Sequence, residues 1–257
     1  MRMAIRTEFL KIRTTRMTIG LLSGAGAWTL FVSLVESSRS GAGGLVPSLA
    51  TTIGLRDVLS STGFALILAM VFGATLSTGE FRYQTSTDTY IDEPDRRRVM
   101  IAKSITAAIV GALFGLLGTA VTTGIGLAFA LSNGYHVAMA TGTIIRYGVG
   151  AVLGASLLAM IGVGVGSFLR NQTAAIIAIF AWAFGVEQVT GGLFHSIARY
   201  LPLMAANTMA GAGSGSMPPL PKGIAPMPWY AVVLLLAVIV VVVSALASHT
   251  SLRKDIT

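Results

Sequence analysis

The chain carries, at residues 80–103, the charged stretch EFRYQTSTDTYIDEPDRRRVMIAK between two long apolar stretches at 58–78 and 104–131. This stretch holds half of the ten acidic residues of the chain, namely Glu80, Asp88, Asp92, Glu93 and Asp95. A charge at the centre of a bilayer costs roughly 2.5–3.5 kcal/mol on insertion scales. We therefore expect residues 80–103 to form a solvent-facing loop between two membrane spans.

The composition also indicates a membrane protein. The 257 residues are 54% hydrophobic and only 11% charged, whereas a soluble domain is about 25% charged. The mean hydropathy is +0.77. The chain contains no cysteine, which excludes disulfides, thiolate catalysis and cysteine-based metal sites. The net charge of +8 comes from basic residues clustered at segment ends, a pattern that indicates membrane topology rather than nucleic-acid binding.

Six stretches are long and apolar enough to cross a bilayer, which takes about 20 residues of helix. They lie at residues 17–35, 58–78, 104–131, 143–169, 173–189 and 229–248. The predicted fold is therefore an all-α, polytopic membrane protein with one domain over residues 1–257. A cleaved signal peptide is the alternative for the first span, but the apolar run is too long and residues 33–40 offer no convincing small-x-small cleavage site.

The distribution of lysine and arginine predicts the orientation, because cytoplasmic segments are enriched in both. With the N-terminus inside, thirteen of the eighteen basic residues fall in inner segments. The other five are Arg39, Arg56, Arg146, Arg199 and Lys222. Both termini are therefore predicted to be cytoplasmic.

Residues 2–16 are predicted to form an amphipathic helix on the inner leaflet. Ile5, Phe9 and Ile12 recur at helical spacing, and Arg2, Arg6 and Arg13 fall on the neighbouring arc. Such a helix buries its apolar side at the acyl boundary while its basic side chains meet anionic head groups. The alternative is a basic flank of the first span with accidental periodicity.

The charged stretch contains, in order, Glu80-Phe81-Arg82, Thr85, Pro94-Asp95-Arg96 and Ala102-Lys103. This order and spacing resemble the permease subunits of ABC-2-type transporters, which carry these elements between their second and third spans. The opening Glu8-Phe9-Leu10-Lys11-Ile12-Arg13 and the Tyr200-Leu201-Pro202 segment extend the resemblance over nearly the whole chain. The chain departs from the pattern at Gln84, where the family often has glycine, and at residues 90–93, where an apolar run is usual.

The resemblance implies a partner protein and a site. Residues 80–103 would form a coupling loop seated in a separate P-loop ABC ATPase, and two permeases, identical copies or paralogues, would pair with two ATPases. ATP and Mg²⁺ would be bound by that ATPase. The implied contact residues are Glu80, Phe81, Arg82, Tyr83, Thr85, Tyr90, Pro94, Arg96, Arg97 and Arg98. The alternative is a solvated loop whose arginines only mark the cytoplasmic side.

The implied function is export across a bacterial plasma membrane. The spans offer few fixed charges, so the expected substrate is amphiphilic or hydrophobic, such as a drug, a peptide antibiotic or a lipid. The alternatives are an ion-coupled secondary transporter, which would be expected to show midplane charges and inverted repeats, and a non-transport assembly or signalling partner.

The sequence predicts that the chain itself is not an enzyme and binds no cofactor or metal. A P-loop needs Gly-Lys-Ser/Thr, and none of the four lysines follows a glycine. The glycine-rich residues 162–166 lie within a predicted span. The three histidines lack metal-ligand spacing, and no span contains paired carboxylates.

Three further features lie in or beside the predicted spans. Glu187, the one acidic residue within a span, is expected to reach interfacial water in a structural role. The alternative is a contact to a cationic substrate or a gate residue at the outer mouth, with Arg199 as its partner. Residues 191–228 are predicted to be an outer loop. Its first part is expected to form short re-entrant helices, and its last part, residues 211–228, is expected to be disordered. Pairs of glycines four residues apart predict close helix packing, at Gly20 and Gly24, Gly111 and Gly115, and Gly150 and Gly154.

Overall fold

The computed structural model describes residues 7, 8, 10, 12, 15–41, 47–82, 96–137, 139–211 and 227–253, with the backbone alone at 96, 97, 195 and 249–253. Within these residues every regular element is helical. The elements are α1 (Arg16–Ser38), α2 (Thr52–Ser60), α3 (Gly63–Arg82), α4 (Arg96–Ser132), α5 (Thr141–Leu169), α6 (Gln172–Ala181), a π-helical turn (Trp182–Val186), α7 (Glu187–Leu193), α8 (His195–Ala198), α9 (Pro202–Met209) and α10 (Trp229–Arg253).

The structure confirms the prediction of six helical segments able to span a membrane. They are Arg16–Ser38, Thr52–Arg82, Arg98–Ser132, Thr141–Leu169, Gln172–Leu193 and Trp229–Ser248. A helix suits this environment because it satisfies nearly all of its backbone hydrogen bonds within itself.

The second span differs from the predicted one because it begins earlier and is broken. Its first part, α2, begins after Thr51, whose side chain accepts a hydrogen bond from the Gly54 amide at 3.2 Å, an N-cap that the sequence pattern did not reveal. At the break, the Ser61 amide donates to the Val58 carbonyl at 3.1 Å, and the Thr62 hydroxyl donates to the Leu59 carbonyl at 3.0 Å. These local bonds satisfy the Ser61 amide and the Thr62 hydroxyl, whereas the buried Ser61 hydroxyl has no hydrogen-bond partner among the described residues.

The bundle is built around α5, which contacts α3, α4, α9 and α10. Two of the predicted glycine pairs make this packing possible: Gly150 and Gly154 of α5 lie against Met209 and Ala206 of α9, and the other pair joins α4 to α5. A Cβ atom at Gly111 or Gly115 would lie 2.7 Å or 2.6 Å from the carbonyl oxygens of Ala155 and Ala151 on α5. Small residues that let two backbones approach are the usual means of close packing in membrane bundles.

The prediction for the first glycine pair was wrong within the described residues. A Cβ atom at Gly20 or Gly24 of α1 would meet nothing within 4 Å. The spacing of the two glycines was right for a helix face, but that face of α1 packs against no other described part of the chain.

The helix directions define two ends of the bundle. α4 runs antiparallel to α5, as the Gly111–Ala155 and Gly115–Ala151 contacts require, while α10 runs parallel to α5 with Val243 against Gly164. The end of the bundle where Glu80, Lys103 and Arg170 lie is called the charged end below. The start of α1 and the C-terminal half of α10 both approach this end, as an even number of spans requires.

The two short helices described between α7 and α10, which are α8 and α9, fall in the predicted outer loop. In α9 every residue except Thr208 is buried, and the helix packs against α5 and α10. The amphipathic stretch before it is instead exposed at Leu193, Phe194 and Ile197. Residues 212–226, most of the piece expected to be disordered, lie outside the described residues.

Candidate functional site

Three charged side chains meet in the interior at the charged end and form the triad Glu8, Glu80 and Lys103. The Lys103 Nζ atom lies 2.7 Å from Glu80 Oε1 and 3.4 Å from Glu8 Oε1. The side chains are 6%, 8% and 5% exposed for Lys103, Glu80 and Glu8. Charges are buried to this extent only when they are paired.

The triad joins three separate segments of the chain. Glu80 lies in the last turn of α3, Lys103 lies two turns into α4, and Glu8 precedes α1. Lys103 can serve both carboxylates because an ammonium group carries three hydrogen-bond donors on a flexible stem. The three segments are therefore held together by one ammonium group.

A second set of contacts, made by the two residues that follow Glu80, ties α3 to the α5–α6 turn. The Arg82 Nη1 atom donates to Gln172 Oε1 at 3.1 Å, and the Arg170 guanidinium lies 6.0 Å from the Phe81 ring centroid. Arg170 has a left-handed backbone with φ of 53°, which allows the tight turn between the two helices. The Asn171 side chain then caps α6 by accepting from the Ala174 amide at 3.0 Å.

The expectation that residues 80–103 form a solvent-facing loop was wrong at both edges of this range. Glu80 and Lys103 are buried, and each lies within a helix. The insertion cost that suggested exposure applies to an isolated charge, whereas these two charges form an ion pair. Arg82 and Arg98 are exposed and Phe81 is partly buried.

Several predicted site residues lie outside the described residues. They are Tyr83, Thr85, Tyr90 and Pro94 of the coupling loop, and Ile5 and Phe9 of the amphipathic helix. Arg96 and Arg97 belong to the first turn of α4, and only their backbone is described. Ile12 is partly buried and packs against the main core.

Glu187 forms a second buried polar site. Its Oε1 atom accepts from the Trp182 indole at 2.8 Å and from the Leu203 amide at 2.9 Å, while Oε2 accepts from the Met204 amide at 2.9 Å. Both amides belong to the first turn of α9, where the helix dipole favours a negative charge. Glu187 therefore caps α9 from another helix.

The expectation that Glu187 reaches interfacial water was wrong, because the residue is 0% exposed. The π-helical turn brings Trp182 and Glu187, five residues apart, within hydrogen-bonding distance, and α9 covers the carboxylate from the other side. The hydrogen-bond partners of Glu187 are thus an indole and two backbone amides. Arg199 instead lies over the Tyr200 ring, with its guanidinium carbon 4.9 Å from the ring centroid.

Sequence reasoning named Glu8 and Lys103 only as parts of a pattern and missed the contact between them. The usable signal was Lys103 itself, a charge two turns inside a helix that continues into an apolar run. Antiparallel packing of α3 and α4 would then have placed Glu80 opposite Lys103. Nothing in the sequence places Glu8, 95 residues away from Lys103, at the same point.

No group of histidine, aspartate or glutamate side chains that could hold a metal ion occurs in the part of the chain that the structure describes. Comparison with known proteins adds no assignment, because no protein-family model and no curated protein matches this chain.

Proposed function

We propose that this chain is the membrane-spanning permease subunit of an ATP-driven exporter, similar to ABC-2-type permeases. The observation that supports this most directly is the Glu8–Glu80–Lys103 triad. Its members come from the N-terminal opening, the Glu-aromatic-Arg element and the Ala-Lys element, three of the segments on which the resemblance rests. An arrangement that links these segments suits a function in which they move together.

The proposed mechanism starts at a separate ATPase subunit, which would bind ATP and Mg²⁺ and hold the segment that follows α3, up to Arg98. Movement imposed on the segment after α3 reaches Glu80 and Lys103 directly, because these residues flank it. The ion pairs pass the movement to the N-terminal segment through Glu8. The close contacts of α3 and α4 with α5 then carry it into the bundle.

The transported substrate in this proposal is amphiphilic or hydrophobic and crosses between two paired permeases in a bacterial plasma membrane. Both chain termini would be cytoplasmic, which agrees with the positive-inside distribution of arginine and lysine. The exposed apolar side chains along the spans, among them Ile109, Leu116 and Val241, suit contact with lipid or with the second permease.

A pull-down tests the ATPase partnership. Tagged protein extracted from native membranes in mild detergent is expected to recover a P-loop ATPase whose ATP hydrolysis co-elutes with it. The Arg98→Glu variant reverses an exposed charge beside the coupling segment and is expected to reduce this recovery several-fold. Arg39→Glu changes an exposed arginine at the end of the bundle opposite the charged end and is the matched control. Intact permease that recovers no ATPase, or equal loss in both variants, would contradict the proposal.

An ion-coupled transporter is the second candidate, and Glu187 is the observation that favours it. Buried carboxylates within spans mark proton and ion pathways in many transporters. Glu187 here accepts hydrogen bonds from three donors and caps a helix, so a structural role accounts for its burial. Substrate uptake into vesicles driven by a proton gradient alone, without ATP, would favour this candidate over the exporter.

A further inference from the structure

A cavity of about 480 Å³ lies at the end of the bundle opposite the charged end. It is enclosed by the first half of α5, the end of α9 and the start of α10, and α2 contributes one arginine. Its volume falls within the range of about 300–1,000 Å³ that is usual for small-molecule sites. The triad and Glu187 do not line it.

The polar side of the cavity is cationic. Arg56 of α2 and Arg146 of α5 both line it, and none of the described residues that line it is acidic. Arg56 is held in place by a hydrogen bond from its Nε atom to the Gly211 carbonyl at 3.3 Å. Guanidinium groups are suited to phosphate and carboxylate groups, which they bind through paired N–H donors. Asp57, next to Arg56, is buried and does not line the cavity.

The apolar side of the cavity lies further along α5, away from the end of the bundle that carries the two arginines. Val149 and Leu153 of α5 line it and are 55% and 37% exposed, so this side opens toward the surroundings of the bundle. Leu153 follows Arg146 by seven residues, about 10 Å along a helix. Trp229 also lines the cavity at the first residue of α10, the position that interfacial aromatic residues take in membrane proteins. Charge at the end and apolar surface further in is the polarity of a lipid leaflet.

We propose that this cavity binds an amphiphile with an anionic head group. The phosphate or carboxylate pairs with Arg56 and Arg146, and the hydrocarbon part lies along Val149 and Leu153. A phospholipid of the surrounding leaflet and a dispersed alkyl phosphate share this chemistry. The proposal goes beyond the exporter function, since binding requires neither an ATPase nor transport.

Fluorescence of Trp229 tests the proposal on the purified full-length chain. Phosphatidylglycerol with brominated acyl chains is compared with brominated phosphatidylcholine, and the Trp229→Phe variant gives the signal of the other two tryptophans. We expect phosphatidylglycerol to quench half of the Trp229 fluorescence at a mole fraction at least fivefold lower than the mole fraction of phosphatidylcholine that does so. Arg146→Gln is expected to bring the two lipids within twofold of each other.

Two further variants separate the site from general effects. Arg146→Lys keeps the positive charge and is expected to retain much of the lipid preference, which a misfolded protein would lose. Arg39→Gln removes an exposed arginine at the same end that does not line the cavity, and it is expected to bind as the wild type does. Equal quenching by both lipids in the wild type, or equal loss in Arg39→Gln, would overturn the proposal.

Competition identifies the source of the amphiphile. Displacement of phosphatidylglycerol by dodecyl phosphate, but not by the same concentration of inorganic phosphate, supports a site open to dispersed amphiphiles. Persistence of the lipid preference against dodecyl phosphate supports a site for the bilayer lipid. Displacement by inorganic phosphate as effective as that by dodecyl phosphate would show that the apolar lining contributes nothing, and would refute the proposal. Because no ATPase is present, these results are independent of the pull-down.

Discussion

Replacing Lys103 with glutamine is expected to destabilise the protein by about 3–5 kcal/mol, the range for removing one partner of a buried ion pair. At an effective dielectric constant of about 20, attraction across 2.7 Å and 3.4 Å is ~6 kcal/mol with Glu80 and ~5 kcal/mol with Glu8. Much of this offsets the cost of taking the charges out of water. The variant loses the attraction but keeps two carboxylates buried side by side.

The loss can be measured by reversible unfolding in mixed micelles of a mild detergent and dodecyl sulfate, followed by circular dichroism. Arg98→Gln is the matched control, since Arg98 precedes Lys103 by five residues on α4 and is exposed; its change is expected to stay within about 0.5 kcal/mol. Adding Glu80→Gln to Lys103→Gln should cost less than the sum of the single changes by at least about 1 kcal/mol.

The reasoning about the triad would be refuted by either of two results. One is a loss below about 1 kcal/mol for Lys103→Gln, which is the range of an exposed ion pair. The other is strict additivity of Lys103→Gln and Glu80→Gln, which would mean that the two side chains do not interact in the folded protein.

Two further predictions concern packing and capping. Gly115→Ala places a methyl group against the Ala151 carbonyl and is expected to lower the free energy of unfolding by about 1–3 kcal/mol. The control is Gly124→Ala on the same helix, whose methyl group meets nothing within 4 Å and is expected to be neutral or stabilising. Equal free energies of unfolding for the two variants would contradict this prediction. Glu187→Gln keeps the shape but weakens the cap of α9, with an expected loss of about 1–3 kcal/mol; unchanged hydrogen exchange at the Leu203 and Met204 amides would contradict the capping role.

The sequence was sufficient for the number and type of the spans because an apolar run of about 20 residues has few other stable structures in a bilayer. It did not predict the break at Ser61 and Thr62, where the Thr62 hydroxyl donates to the Leu59 carbonyl of the preceding helix. Nor did it predict the π-helical turn at Trp182–Val186, which depends on where Glu187 meets α9. The break rests on hydrogen bonds to the preceding turn, whereas the π-helical turn adjoins a contact between two elements that are distant in sequence.

The candidate site was predictable only in part, for a related reason. The concentration of charge in an apolar chain indicated that residues 80–103 were a candidate functional segment. The order of the motifs included Glu80 and Lys103 in that segment. Whether a charge lies in solvent or in the interior depends on its partner, and Glu8 is far from both in the sequence. Local patterns therefore identified the segments but assigned Glu80 and Lys103 to the wrong environment.

The triad also has a consequence for how the protein is made. Glu80 leaves the ribosome 23 residues before Lys103, an interval of about 1–5 s at typical elongation rates of roughly 5–20 residues per second. During that time α3 is already present while its carboxylate lacks the Lys103 ammonium group. The Glu80–Lys103 ion pair can therefore form only after the start of α4 has been synthesised.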